Sequence, residues 1–89
     1  MEKEFFYFND GDRYEGDYKN DNPEGKGIYY YNNGNRYEGD YKNGYPEGKA
    51  IFYYKNGDRE MGDWKNGKKI GNHAFLSNDG KVELKEYNI

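Results

Sequence analysis

The heptad YEGDYKN occupies residues 14–20 and recurs unchanged at residues 37–43, an interval of 23 residues. A shift of 23 aligns glycines and aromatic residues along nearly the whole 89-residue chain. A fixed period in this range is typical of repeat architectures, in which each unit packs on its neighbours. The aligned sets are Gly16, Gly39 and Gly62; Tyr18, Tyr41 and Trp64; Gly25, Gly48 and Gly71; and Gly11, Gly34, Gly57 and Gly80.

Each repeat has the pattern of two β-strands. In RYEGDYK, side chains alternate, so that Tyr14, Gly16 and Tyr18 share one face and the charged residues between them share the other. The segment KGIYYYN is aromatic and β-branched, which also favours a strand. No segment of helical length has a period of 3.6 residues. The sequence therefore predicts an all-β fold, an elongated single-layer antiparallel meander of about eight strands built from 23-residue β-hairpin repeats.

The turn signals predict where the hairpins reverse. Asn-Gly and Asp-Gly pairs between repeats, as in NDGD at 9–12 and NNGN at 32–35, favour two-residue type I′ turns. Within a repeat the connection is predicted to be a longer loop, because Pro23 and Pro46 cannot donate a hydrogen bond to a central ladder.

Glycine weakens a strand unless another group lies across it. We expect Tyr29 and Tyr31 to lie over Gly16 and Gly39 of the neighbouring strands, because an aromatic ring covers backbone that would otherwise be wet. The expected repeat core consists of Tyr14, Gly16, Tyr18, Tyr29, Tyr37, Gly39, Tyr41, Phe52, Gly62, Trp64 and Phe75.

On these residues the chain resembles the MORN (membrane occupation and recognition nexus) repeat family, whose pattern is close to Y-x-G-x-W/Y-x-x-G followed by G-x-G-x-Y/F. The matching segments are YEGDYKNDNPEGKGIYY, YEGDYKNGYPEGKAIFY and a degenerate EMGDWKNGKKIGNHAFL. The resemblance implies a single domain over residues 1–89, with a half-unit at 4–13, repeats at 14–36, 37–59 and 60–80, and a capping strand at 81–87. It also implies a non-catalytic scaffold, dimerisation or partner-binding role, with phospholipid binding proposed for some members.

Composition argues against catalysis and against several ligands. The chain has no cysteine, one serine and one histidine, so a nucleophilic triad or a zinc site is not expected. His73 is interpreted as a tolerated replacement of a glycine. The column of Asp17, Asp40 and Asp63 is interpreted as charge pairing with Lys19, Lys42 and Lys65 rather than as a calcium ladder. The net charge of −3 argues against nucleic acid, and no cofactor is expected.

The face opposite the tyrosines carries apolar residues that a wet surface would not need. Contiguous exposed apolar patches mark interaction sites, so this face predicts a protein partner or an isologous homodimer. One concrete form of this function is a small inhibitor or immunity-type protein, whose acidic aromatic surface would suit a basic partner. The alternative is a local second core covered by the tail KEYNI. The residues of this face are Met61, Ala74, Leu76, Val82, Leu84, Ile28, Tyr30, Ile51 and Tyr53, with Phe5 and Tyr7 in the half-unit.

A second function class is a reader of anionic lipid. Basic residues along one edge could contact head groups, although interspersed carboxylates cancel much of the attraction. The candidate residues are Lys19, Lys42, Lys65, Lys68 and Lys69. No apolar run has the length of a membrane span and no signal peptide is recognised, so a cytoplasmic protein, peripheral to a membrane in the lipid reading, is the expectation.

Overall fold

The fold is a single open sheet of eight antiparallel strands in chain order. The computed structural model describes residues 2–88, and no helix is present in that range. The predicted all-β, single-layer meander is confirmed, and its extents of 38 × 25 × 19 Å make it elongated. The strands are β1 (Glu2–Tyr7), β2 (Arg13–Lys19), β3 (Asn22–Tyr30), β4 (Arg36–Lys42), β5 (Tyr45–Tyr53), β6 (Arg59–Lys65), β7 (Lys68–Leu76) and β8 (Val82–Tyr87).

The two kinds of turn are exchanged relative to the prediction. In the turn between the half-unit and the first repeat, Gly11 donates its N–H to the carbonyl of Phe8 at 3.1 Å. Gly11 is the one residue of this turn with a positive φ. This is a type I turn closed by a glycine bulge, not a type I′ turn. The type I′ turns lie within the repeats, where both central residues have positive φ: Asn20–Asp21, Asn43–Gly44 and Asn66–Gly67.

The prolines lie in strands, so the predicted loops around them are wrong. Pro23 is the second residue of β3, and its carbonyl accepts the N–H of Gly44 at 3.0 Å. The next residue, Glu24, accepts the N–H of Asn43 through Oε1 at 3.0 Å. Pro46 and Glu47 hold the following turn, at Asn66–Gly67, in the same way. The Pro-Glu-Gly motif therefore fastens each turn to the preceding repeat.

The core is made by tyrosines, and the first of them lies against glycine backbone. Tyr14 lies against Gly27 on the adjacent strand and donates its hydroxyl to the carbonyl of Asp17 at 2.8 Å. Tyr37 donates in the same way to the carbonyl of Asp40 at 2.8 Å. The principle of a ring covering a glycine thus holds, but the expected rings were wrong.

The second-strand tyrosines serve a different purpose. Tyr29 donates its hydroxyl to Asp12 Oδ2 at 2.8 Å and packs on Phe8 and Tyr31 instead of covering a glycine. A chain of edge-on ring contacts, Tyr14–Tyr41–Tyr37–Trp64, runs across the repeats. These four rings are the large buried apolar side chains, while Tyr18, Tyr29 and Phe52 pack partly buried around them. We call this side of the sheet the tyrosine face.

Valine at Gly27 is expected to displace the Tyr14 ring. A Cβ atom at Gly27 would come within 2.5 Å of two ring carbons of Tyr14. Overpacking of this kind costs about 1–3 kcal/mol of unfolding free energy. Urea denaturation of Gly27→Val measures it, with Asn72→Val as the control, because Asn72 is an exposed residue of β7. Equal effects of the two substitutions would contradict the ring-on-glycine packing.

Glycine at Asp21 is expected to stabilise the protein. Asp21 has φ 66° at the second central position of a type I′ turn, where the later repeats have Gly44 and Gly67. A left-handed conformation is unfavourable for a residue with a Cβ, so Asp21→Gly should add about 0.5–1 kcal/mol. The reciprocal variant Gly44→Asp should lose a similar amount. A lower melting temperature for Asp21→Gly would show that the aspartate makes a compensating contact.

Candidate interaction surfaces

The side of the sheet opposite the tyrosines, here called the groove face, is curved into an open groove. The groove has a volume of about 710 Å³ and is lined by residues from β1 through β7. Two cross-strand rows of side chains run along this face. The first row is Phe5, Glu15, Ile28, Glu38, Ile51, Met61, Ala74 and Leu84; the second is Tyr7, Arg13, Tyr30, Arg36, Tyr53, Arg59, Leu76 and Val82.

Arginine and tyrosine alternate along the second row. The guanidinium of Arg13 lies 4.2 Å from the ring centre of Tyr30, and that of Arg36 lies 4.0 Å from that of Tyr53. These are cation–π contacts between directly opposite residues. Sequence reasoning did not include the arginines, although their recurrence at the period of 23 as Arg13, Arg36 and Arg59 was a sufficient signal.

Aspartates of the predicted column form ion pairs, but across strands and with lysines other than those expected. Asp40 pairs with Lys26 at 2.6 Å, and Asp63 with Lys49 at 3.5 Å. The expected partners Lys42 and Lys65 lie on the same strands as these aspartates. The prediction was wrong because residues directly opposite on neighbouring strands are closer than residues two apart on one strand.

The apolar residues predicted for an interface share the groove face and differ in exposure. Met61, Val82 and Leu84 are exposed. The others are partly buried: Ile28, Tyr30, Ile51, Tyr53, Ala74 and Leu76.

The alternative of a second core under the C-terminal tail is wrong for the residues described. Lys85, Glu86 and Tyr87 belong to strand β8, and the Tyr87 ring packs 4.9 Å from His73 on the tyrosine face. Ile89, the last residue of that tail, lies outside the described residues.

The lysines proposed for lipid contact do not act as one set. Lys19, Lys42, Lys65 and Lys68 are exposed at the ends of strands beside the type I′ turns. Lys69 is turned inward, with Nζ 3.2 Å from Glu60 Oε1 and 3.3 Å from the Tyr54 hydroxyl. The carboxylates Glu24 and Glu47 bind backbone N–H groups at this same end of the sheet.

The third repeat replaces the tyrosine–glycine pair by Glu60 and His73. These residues correspond to Tyr14 and Gly27, and both are almost completely buried. His73 Nε2 lies 2.9 Å from the carbonyl of Asp63, the position that the tyrosine hydroxyl takes in the other repeats. His73 is thus more than a tolerated glycine replacement, since with Glu60 it fills the volume and makes the hydrogen bond of the missing tyrosine.

His73 and Glu60 are in direct contact. The Asp63 carbonyl only accepts hydrogen bonds, so His73 Nε2 carries a hydrogen and donates it. His73 Nδ1 lies 2.9 Å from Glu60 Oε2, but the two atoms do not meet the geometry of a hydrogen bond. Burial alone would raise the pKa of Glu60, but hydrogen bonds from Tyr87 and Lys69 and the positive charges of Lys69 and His73 outweigh it and hold the pKa below its ordinary value.

A double-mutant cycle should show that Glu60 and His73 act as one unit. Glu60→Tyr forces a ring onto the His73 ring, and His73→Gly leaves a void beside a buried carboxylate. Each single variant should lose about 2 kcal/mol or more. The double variant recreates the tyrosine–glycine pair of the first repeat, so it should recover about 1–3 kcal/mol relative to the sum. Additive losses, measured by urea unfolding, would contradict the exchange.

Acid should weaken the wild type through Glu60. Because its folded-state pKa is below the ordinary value of 4.5, its stabilisation is fully present above pH 4.5 and is lost as pH falls through the lowered value. The Glu60→Tyr/His73→Gly variant lacks both groups. As the pH falls, the wild type should therefore lose more unfolding free energy than this variant does. A difference that does not change between pH 7 and pH 3 would count against an ionised Glu60.

A ribbon of tandem β-hairpins with an open groove on one face defines a β-hairpin repeat protein. The MORN repeat model matches residues 14–36, 37–59 and 61–71, which is more than half of the chain. The chain therefore belongs to the MORN repeat family. Such repeats are in general non-enzymatic modules that mediate protein or membrane-lipid interactions.

No curated protein matches the chain. Within residues 2–88, no helix is long and apolar enough to cross a membrane. The same residues contain no group of three or more His, Cys, Asp or Glu side chains that could hold a metal ion.

Proposed function

We propose that this protein is a non-catalytic module that docks a protein partner in the groove. The observation that supports the proposal is the groove itself, an open concavity of about 710 Å³ with Ile28, Ile51 and Met61 along it. A sheet that closes its core on the tyrosine face has no structural need for apolar side chains here. Partly exposed aliphatic groups in a concave surface are the usual centre of a binding site.

The chemistry of the groove face fits a protein better than a small molecule. Tyr, Arg and Met are enriched in protein interfaces and at their hot spots. The Tyr30–Arg13 and Tyr53–Arg36 stacks hold these side chains in place, so little rotamer entropy is lost on binding. Glu15 and Glu38 stand in the apolar row, which favours a partner with basic groups beside an apolar segment.

A matched pair of variants tests the groove as the docking surface. Ile51→Glu places a charge at the centre of the groove, and Lys49→Glu reverses a charge on its wall without touching the core. Lys55→Glu, at an exposed residue in the turn after β5, is the control. A protein captured from the native source by wild type and by Lys55→Glu should bind about tenfold more weakly to both groove variants. Unchanged binding of the groove variants would contradict the proposal.

Vesicle binding separates this function from the lipid reading. Co-sedimentation with phosphatidylserine-containing vesicles, at low and at physiological salt, measures any electrostatic attraction by the exposed lysines. Under the proposed function the protein stays in the supernatant at physiological salt. Pelleting that Lys19→Glu and Lys42→Glu abolish, while groove variants leave it unchanged, would replace protein docking by lipid binding.

A further inference from the structure

The two free edges of the sheet are the two halves of one repeat. β8 corresponds, one period on, to the first strand of a repeat, since residues 82–87 align with 59–64 and 13–18. β1 corresponds to a second strand, since residues 3–7 align with 26–30. Among the described strands β1 pairs only with β2, and β8 only with β7. Each edge therefore has backbone groups that an additional strand could bind.

Exposed apolar side chains are concentrated at these edges. Leu84 is 81% exposed, Tyr7 75% and Val82 68%. Phe5 and Phe8 are also exposed. Of the seven exposed large apolar residues in the part of the chain that the structure describes, five therefore lie on β1, on β8 or directly after β1. The corresponding residues inside the sheet, such as Ile28, are partly buried because they have a strand on each side.

We propose that a second copy of this chain covers the edge, with β8 of one copy pairing with β1 of the next. The register is the one that β2 makes with β3, in which Arg13 is opposite Tyr30 and Glu15 is opposite Ile28. It places Val82 opposite Tyr7, and Leu84 opposite Phe5, on the groove face. Both pairs bring exposed apolar side chains together, as cross-strand neighbours that stabilise a sheet.

The charges of the two edges match in the same register. Lys85 corresponds to Gly16 and Glu4 to Gly27, and Gly16 is opposite Gly27. Lys85 of one copy is thus opposite Glu4 of the next. Glu86 corresponds to Asp17, whose carboxylate accepts the N–H of Lys26. Lys3 corresponds to Lys26, so in the junction Glu86 of one copy comes beside Lys3 of the next. Charged residues commonly protect sheet edges from pairing. In this register Lys85 and Glu86 each meet a charge of opposite sign, while Glu83 comes opposite Phe6.

The complementarity favours head-to-tail assembly over an isologous dimer. Pairing β1 with β1 about Phe5 would place Glu4 opposite Phe6 and Lys3 opposite Tyr7. Pairing β8 with β8 about Leu84 would set Val82 against Glu86 and leave the apolar edge of β1 exposed. A head-to-tail contact is heterologous and leaves one free edge of each kind at the ends, so assembly is open-ended and increases with concentration.

This inference does not depend on the proposed function, because Lys3 alone among the residues that line the groove lies on an edge strand. Head-to-tail pairing would continue both cross-strand rows of the groove face from one copy into the next. Failure of assembly would leave docking in the groove untouched, and the absence of a groove partner would leave the edges unaffected.

Two single-edge variants and their mixture test the assembly. Leu84→Arg disables only the β8 edge and Phe5→Arg disables only the β1 edge. Sedimentation equilibrium from micromolar to millimolar concentration should show growing oligomers for wild type and monomers for each variant alone. An equimolar mixture should form a heterodimer of defined size, in which intact β8 of Phe5→Arg pairs with intact β1 of Leu84→Arg. Circular dichroism checks that both variants keep the sheet.

Other outcomes overturn the proposal. A wild type that is monomeric throughout, or that stops at a dimer, excludes open-ended pairing. A dimer that persists in Phe5→Arg alone identifies β8–β8 pairing, and one that persists in Leu84→Arg alone identifies β1–β1 pairing.

A charge exchange tests the register. Lys85→Glu should weaken association about tenfold, and Glu4→Lys in the same chain should restore it. Loss without restoration would show that these residues do not face each other.

Discussion

A backbone carbonyl left without a ladder partner is the constraint on which each repeat depends. The pairing register of β2 with β3 shifts between Gly16 and Tyr18, and the same irregularity recurs between Gly39 and Tyr41. Such a bulge interrupts the pairing of one residue with the following strand, here of Asp17 with β3 and of Asp40 with β5. A buried carbonyl without a hydrogen bond costs about 1–3 kcal/mol, and the tyrosine hydroxyl supplies the donor. Burial raises the pKa of Tyr14 and Tyr37, so both hydroxyls stay protonated and able to donate.

The same contact solves the problem of a one-layer fold. With no second sheet or helix to cover it, a strand can only be covered by its own side chains. The Tyr14 ring reaches the carbonyl while lying against Gly27 of the adjacent strand, a site with no room for a side chain. The residue that corresponds to Gly27 in the second repeat is Ala50, which is also small. Hydrogen bonding and burial are therefore met by one side chain in one orientation. This requirement explains why tyrosine and glycine recur together with the period of 23.

The repeats are joined to one another at both ends of their hairpins. At one end Pro23 and Glu24 hold the next type I′ turn. At the other end, Asp12 accepts the N–H of Asn32, and Asp58 accepts the N–H of Asn78. Each bond links a repeat only to its neighbour, as in other repeat proteins. In the third repeat Ile70 stands in place of the glutamate, so this repeat lacks the carboxylate that Glu24 and Glu47 provide.

The period of 23 and the alternation of side chains were sufficient to predict the strands, their order and the two faces. They were insufficient for the turns, because Asn-Gly and Asp-Gly pairs occur at both ends of the hairpins and only the strand register decides which residues take positive φ. The ring over each glycine was misassigned because strand parity gives a side chain its face but not its tilt. In the sequence, Glu60 and His73 are visible as two departures from the repeat pattern, at the positions of Tyr14 and Gly27. That the two replacements compensate each other could be recognised only once Tyr14 was seen to lie on Gly27.

The third repeat shows which interaction of the repeat is kept when its residues change. Glutamate and histidine have neither the shape of tyrosine nor that of glycine, yet together they place a nitrogen where the hydroxyl would be, 2.9 Å from the Asp63 carbonyl. The quantity that is maintained is the hydrogen bond at the bulge, whichever groups provide it. Because that bond and the buried rings all lie on the tyrosine face, the groove face has no part in closing the core. The arginines, tyrosines and aliphatic residues of the groove face take no part in that hydrogen bond.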